Sequence, residues 1–187
     1  MSNPVPSPQL GLVEAVKLAS SRLTYFKGRS RRSEFWWWML CVQLLLLVVG
    51  LLLPPQQLLL DAVVSTAVMA LALSVTVRRL QDTGHSAAWV HVSFAAGIFC
   101  HLYPALCLPE FMAEYMDIIE SIDPNSTSLT FMTDLQDLVS ENMGSLTVYI
   151  ICSLLWLLAS LPVVVFCFMD GQKEANAYGP SPKYKLA

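Results

Sequence analysis

An all-α membrane protein with four transmembrane helices is predicted by three observations. Four apolar blocks of about 19 to 24 residues recur along the chain, the mean hydropathy is +0.55, and the basic side chains are confined to a few segments. A content of 55% apolar and 13% charged residues lies far from the globular balance of roughly a quarter charged. All eleven Lys and Arg residues fall outside the stretch from Leu80 to Gln172, which holds eight consecutive carboxylates from Glu110 to Glu141. Basic loops stay in the cytoplasm while acidic ones can be translocated, so both termini are expected on the cytoplasmic side. Residues 1–187 read as one membrane domain.

Residues 9–26 carry Leu12, Val13, Val16, Ala19, Leu23 and Phe26 at helical spacing, with Glu14, Lys17 and Arg22 elsewhere on the wheel. That pattern beside a basic flank predicts an N-terminal interfacial amphipathic helix. No short apolar core with a small-residue cleavage site precedes it, so the first span is expected to act as its own insertion signal. Trp36, Trp37 and Trp38 suit the headgroup level and predict an interfacial anchor.

The spans are expected at about 35–53, 58–77, 86–106 and 145–168. Pro54, Pro55, Gln56 and Gln57 leave room only for a tight hairpin between the first two. In the second span, Ala62, Thr66, Ala70 and Ser74 form a small-residue strip along which another helix, or another copy of the chain, can pack closely. The acidic outer segment, 107–144, predicts two short amphipathic helices separated by a turn at Asp123-Pro124-Asn125, with a glycosylation-type triplet at Asn125-Ser126-Thr127. Pro162 is expected to bend the fourth span. Residues 169–187 form a cytoplasmic tail.

Five cysteines lie in or beside spans without C-x-x-C spacing, and Cys100 and Cys107 are about 10 Å apart along one helix, too far to bridge. They read as small packing residues. No zinc pattern, P-loop or dinucleotide fingerprint occurs, so no metal or cofactor is expected, and nucleic acid is not an expected partner. Asp82, His85 and Ser86 share a short loop, but nearness in sequence is not triad geometry, and enzyme activity is not expected.

Three polar clusters mark the cytoplasmic ends of the spans: residues 28–34, residues 78–86, and Asp170 and Gly171 with Asn176 to Pro180. The strings GRSRRSEFWWW, RRLQDTGHSAAW and NAYGPSPK resemble the three signature segments of a bacterial inner-membrane family, domain of unknown function 805, the YhaH-like proteins. The resemblance implies a small four-span protein of the bacterial inner membrane. It points to Gly28, Arg29, Arg32, Glu34 and Trp36, then Arg78, Arg79, Asp82, Gly84, Ser86 and Trp89, then Asn176, Tyr178, Gly179 and Pro180. This chain departs from the family pattern at Gln81, His85 and Ala87, and at Gln172-Lys173-Glu174.

Two roles suit such a cluster. Arg78 or Arg79 paired with Glu34 or Asp82 ties helix ends together. Alternatively, the start of the third span, with Arg29, Arg32, Arg78 and Arg79, receives the phosphate of an anionic lipid. The expected partners are membrane lipids, a second copy of the chain or another membrane protein. A small oligomeric transporter or channel is the alternative, resting on an intramembrane pair of Asp61 and His101.

Overall fold

The computed structural model describes residues 5–54, 57–120 and 128–185. Its helices are α1 (Leu12–Ser20), α2 (Arg32–Leu52), α3 (Leu58–Ala70), α4 (Leu73–Thr83), α5 (Ala88–Cys107), α6 (Pro109–Glu120), α7 (Ser128–Glu141) and α8 (Met143–Phe168). α3 and α4 read through as one span, Leu58–Thr83, and with α2, α5 and α8 they make four helices long and apolar enough to cross a membrane. At 26 residues this span is about 39 Å long, against ~30 Å of hydrocarbon, so its last turns emerge from the apolar slab. Those turns carry Arg78 to Thr83. The protein is a multi-pass membrane protein.

The junction between α3 and α4 is a two-residue turn at Leu71 and Ala72, whose N–H groups bond to Val68 O and Met69 O. There the Leu71 carbonyl accepts the Trp38 indole N–H at 3.0 Å. Trp38 is therefore buried, while Trp36 and Trp37 stay exposed. The Trp triplet is thus divided, two rings at the surface and one pinned in the core.

The amphipathic helix is shorter than 9–26, and part of its expected face packs inward: Ala19 is buried, and Val16 and Leu23 lie against the core. Ala15 and Ala19 are buried, whereas Leu12 and Val13 are exposed, Val13 by 78%. Small side chains let α1 lie close against α2, with Leu12 and Val13 turned outward and Val16 half-buried against the core. The strip on the second span also drifts: Ala62 and Ser74 are buried, but Ala70 is exposed and Ser65 and Val68 take its place. Four residues overshoot a helical turn by about 40°, so a strict four-residue strip winds off the seam.

α5 packs along α8 and beside α3. Gly97 lets the Trp156 indole lie against α5, since a Cβ there would meet its Nε1 at 3.0 Å. Pro104 and Pro162 sit inside α5 and α8. The acidic segment forms α6 and α7 as expected, while the predicted turn at Asp123-Pro124-Asn125, the triplet Asn125-Ser126-Thr127, and Pro55 and Gln56 of the hairpin lie outside the described residues. All five cysteines are free.

The two ends of the chain meet. Val5–Pro6 (β1) pairs antiparallel with Tyr184–Lys185 (β2), and Ser7 donates from both N and Oγ to Lys183 O at 2.7 and 2.8 Å.

Candidate ionic centre at the helix ends

Three glycines from the signature segments, Gly28, Gly84 and Gly179, have φ of 100°, 83° and 123°. L side chains are strained in that region, so glycine is the residue each turn requires. Gly84 closes α4: its N–H reaches Gln81 O at 3.2 Å, and the His85 N–H reaches Leu80 O at 2.9 Å. The chain then turns into α5, where Ser86 Oγ accepts the Ala88 N–H at 3.2 Å.

α4 presents Arg78 and Arg79 to different neighbours. Arg78 donates through Nη2 to Glu34 Oε1 at 3.1 Å and through Nη1 to Arg22 O and Tyr25 O at 3.0 and 3.1 Å. It thereby joins α4 to the start of α2 and to the turn that follows α1. Ser74 Oγ adds a bond to Arg22 O at 3.1 Å, and Ser30 N–H returns to Arg78 O at 3.1 Å.

Arg79 points toward the end of α8. Its Nε donates to Cys167 O at 3.2 Å and its Nη2 to Met169 O, so a guanidinium meets the carbonyls that a helix terminus leaves without internal donors. Its Nη1 bonds Asp82 Oδ2 at 2.6 Å.

Arg29 completes the set from the loop before α2. Nε bonds Asp82 Oδ1 at 2.8 Å, Nη1 bonds Glu174 O and Gly179 O at 2.7 and 3.3 Å, and Nη2 bonds Asp82 O and Gln172 O. All five guanidinium N–H groups are occupied. Asp82 thus sits between two arginines from different parts of the chain.

The tail is held by further bonds. Asn176 Nδ2 donates to Gln81 O and Gln172 Oε1, both at 2.9 Å, and Asn176 Oδ1 accepts the Tyr178 N–H. Gln172 N–H donates to Asp82 O at 2.9 Å. Gly171 lies so close that a Cβ would fall 1.9 Å from Asp82 Oδ2.

Arg78 and Arg79 have no exposed surface, and Glu34, Asp82 and Arg29 show at most 6%. Three cations are therefore enclosed with two carboxylates; main-chain carbonyls supply further acceptors, and Arg78 Nε is buried without a partner among the described residues. The sequence-predicted cluster separates into this enclosed part and an exposed rim. Arg32 is on the rim, its side chain 47% exposed and its Nη2 3.5 Å from Asp170 Oδ1. Trp36 packs on Phe168 with ring centroids 4.6 Å apart. Trp89 is exposed and Tyr178 is partly so. The predicted phosphate site does not form around Arg29, Arg78 and Arg79, because their donors face inward to protein acceptors.

Asp82, His85 and Ser86 do not converge. Asp82 is held by the two arginines, while His85 stacks on Phe166 at 3.6 Å with Nδ1 3.0 Å from Thr83 Oγ1. Asp61 accepts from Ser65 Oγ at 3.5 Å, and among the described residues no hydrogen bond or ion pair joins it to His101. No group of three His, Cys, Asp or Glu among the described residues is placed to hold a metal ion.

Sequence reasoning put Arg31 in the first polar cluster, Trp37 in the interfacial triplet and Lys183 in the cytoplasmic tail, but singled out none of the three as a site residue. With Arg32, Trp36 and Asp170 they line a rim groove of about 340 Å³, which Arg79 and Asp82 of the enclosed centre also border. Lys183 donates to Asp170 Oδ2 and Oδ1 at 2.8 and 3.0 Å, and Arg31 Nη2 to Ser7 O at 2.9 Å. The run of bases from Arg29 to Arg32 was a visible signal; the arrival of Lys183 from the far end of the chain was not.

The bond from Lys183 lowers the Asp170 pKa from its ordinary 3.8, and that same bond raises the Lys183 pKa from its ordinary 10.5. A depressed carboxylate stabilises fully above pH 3.8, and the gain is lost as pH falls through the folded value. A raised ammonium stabilises fully below pH 10.5, and that gain is lost as pH rises through its folded value. Tail docking should therefore be strongest between those limits, by about 0.2–1 kcal/mol because the pair is exposed. Hydrogen exchange of the tail amides across pH checks this, and Asp170→Asn should flatten the acid limb.

Comparison with known proteins now adds to this geometry. A search of curated proteins and of solved structures finds no match. A family described as protein of unknown function (DUF805) matches residues 23–180, a range that takes in the enclosed arginines, both their carboxylates and the tail to Pro180. The chain belongs to the DUF805 family.

Proposed function

We propose that this is a non-enzymatic protein of the bacterial inner membrane, with both termini in the cytoplasm, that engages anionic lipid at its basic end. In this reading the enclosed arginines fasten the helix ends, and the rim groove receives the head group. The observation that carries it is the division between the two sets of bases. Arg29 has no donor left for a ligand, whereas Arg32 and Lys183 stand half-open around a groove walled by Trp36 and Trp37. Indole rings favour the headgroup level, and each base near an anionic surface contributes about 1 kcal/mol. Asp170 holds the two bases in place and would be displaced by a phosphate.

The oligomeric transporter or channel draws no comparable support. The groove that enters the bundle between α3, α5 and α8 has mainly apolar walls, and Asp61 and His101 remain separate.

Purified protein titrated with phosphatidylglycerol and phosphatidylcholine vesicles tests the lipid reading. Arg32→Ala with Lys183→Ala should weaken phosphatidylglycerol binding by about thirtyfold, the effect of two bases at ~1 kcal/mol each. Asp170→Asn should strengthen it. Equal binding of both lipids, or binding unmoved by the double substitution, rejects the proposal. Arg79→Ala is no test, because removing one partner of a buried ion pair is expected to destabilise the fold itself.

A further inference from the structure

A second groove, of about 200 Å³, lies within the spans where α3, α5 and α8 meet. Met39, Met69, Phe94 and Ile98 contribute apolar wall. Polar groups interrupt that wall. Thr76 and Ser160, which also line it, return their hydroxyls to Ala72 O and Leu157 O in the usual helical manner. Ser93 Oγ, the Trp156 indole N–H and the His101 ring have no hydrogen-bond partner among the described residues, and the neighbouring Thr66 Oγ1 is buried without one. Gly97 brings the Trp156 N–H to this place.

Unmatched donors at such depth are costly, because hydrocarbon offers no acceptor and water is scarce. An occupant must come from the lipid phase and bring an acceptor oxygen. Charged head groups are disfavoured: Thr66 lies eight residues, about 12 Å, inside its span, and Ser93 five residues, about 7.5 Å, inside its own. Plain acyl chains lack the acceptor at this depth. The volume is near that of the ~150 Å³ cavity known to take a benzene ring and below the ~300 Å³ of a drug-sized site. One ring fits.

We propose that this groove binds the ring of a neutral, membrane-dissolved carbonyl compound, the chemistry of a prenylated quinone. Trp156 Nε1 and Ser93 Oγ donate to its carbonyl oxygens, Phe94 and the methionines contact its faces, and the apolar tail leaves through the open side into lipid. Binding alone is proposed, with no electron transfer.

Full-length protein in phosphatidylcholine nanodiscs, titrated with decylubiquinone, tests this; neutral lipid keeps the basic rim out of the readout. Saturable quenching of tryptophan fluorescence is expected. Ser93→Ala, which leaves the reporter in place, should weaken binding about fivefold, the effect of one hydrogen bond. Val164→Trp, placed at a half-exposed wall position, should fill the groove and abolish saturation. Quenching that rises without saturation, or that saturates identically in wild type and Ser93→Ala, overturns the proposal. So does retention of phospholipid acyl chains that the quinone fails to displace, read by native mass spectrometry. Ser93→Ala keeps the test decisive if Val164→Trp does not fold.

Discussion

Replacing Asp82 by alanine should cost the folded protein about 3–5 kcal/mol, the penalty for leaving a buried charge without its partner. Two guanidiniums, those of Arg29 and Arg79, lose their shared carboxylate in this variant. Neither can recover solvation by swinging outward, since both are enclosed by the tail and the end of α8. Denaturant or thermal unfolding in mild detergent measures the loss. A change below ~1 kcal/mol would falsify the view that Asp82 anchors the centre, leaving the main-chain carbonyls as sufficient acceptors.

Gly171→Ala should cost about 1–3 kcal/mol, a large effect for one methyl group. Ordinarily a nearby side chain gives way. Here the obstructing atom is Asp82 Oδ2, 1.9 Å from the new Cβ, and Arg29 and Arg79 fix that carboxylate from both sides. The methyl group must therefore displace the tail or break an ion pair. The two substitutions should be strongly non-additive: in an Asp82→Ala background the obstacle is gone, and Gly171→Ala should add little. Additive losses in the double variant would show that Gly171 matters for some reason other than its approach to Asp82.

Much of this arrangement was legible in the residues. Span length and the sorting of bases placed four helices and gathered Glu34, Arg78, Arg79 and Asp82 at one end, because hydropathy and charge are properties of the side chains themselves. The partners of the arginines were not legible. Arg79 binds Cys167 O and Met169 O, and Arg29 binds Gln172 O, Glu174 O and Gly179 O. A main-chain carbonyl is the same in every residue, so no letter of the sequence announces it. At the departure from the family pattern at Gln172-Lys173-Glu174, Arg29 takes two of its acceptors from the backbone, which any side chain there would supply. The exposed face of α1 was misjudged for a related reason. Leu12 and Val13 are the more apolar side chains, but Ala15 and Ala19 permit the closer approach to α2.

Because five main-chain acceptors of Arg29 and Arg79 lie between Cys167 and Gly179, a growing chain inserts its first three hydrophobic helices well before these guanidiniums can be fully satisfied. A product that ends ahead of that stretch keeps Asp82 beside these cations but lacks their acceptors on the tail and at the end of α8. Closure of the ionic centre thus waits on synthesis of the tail.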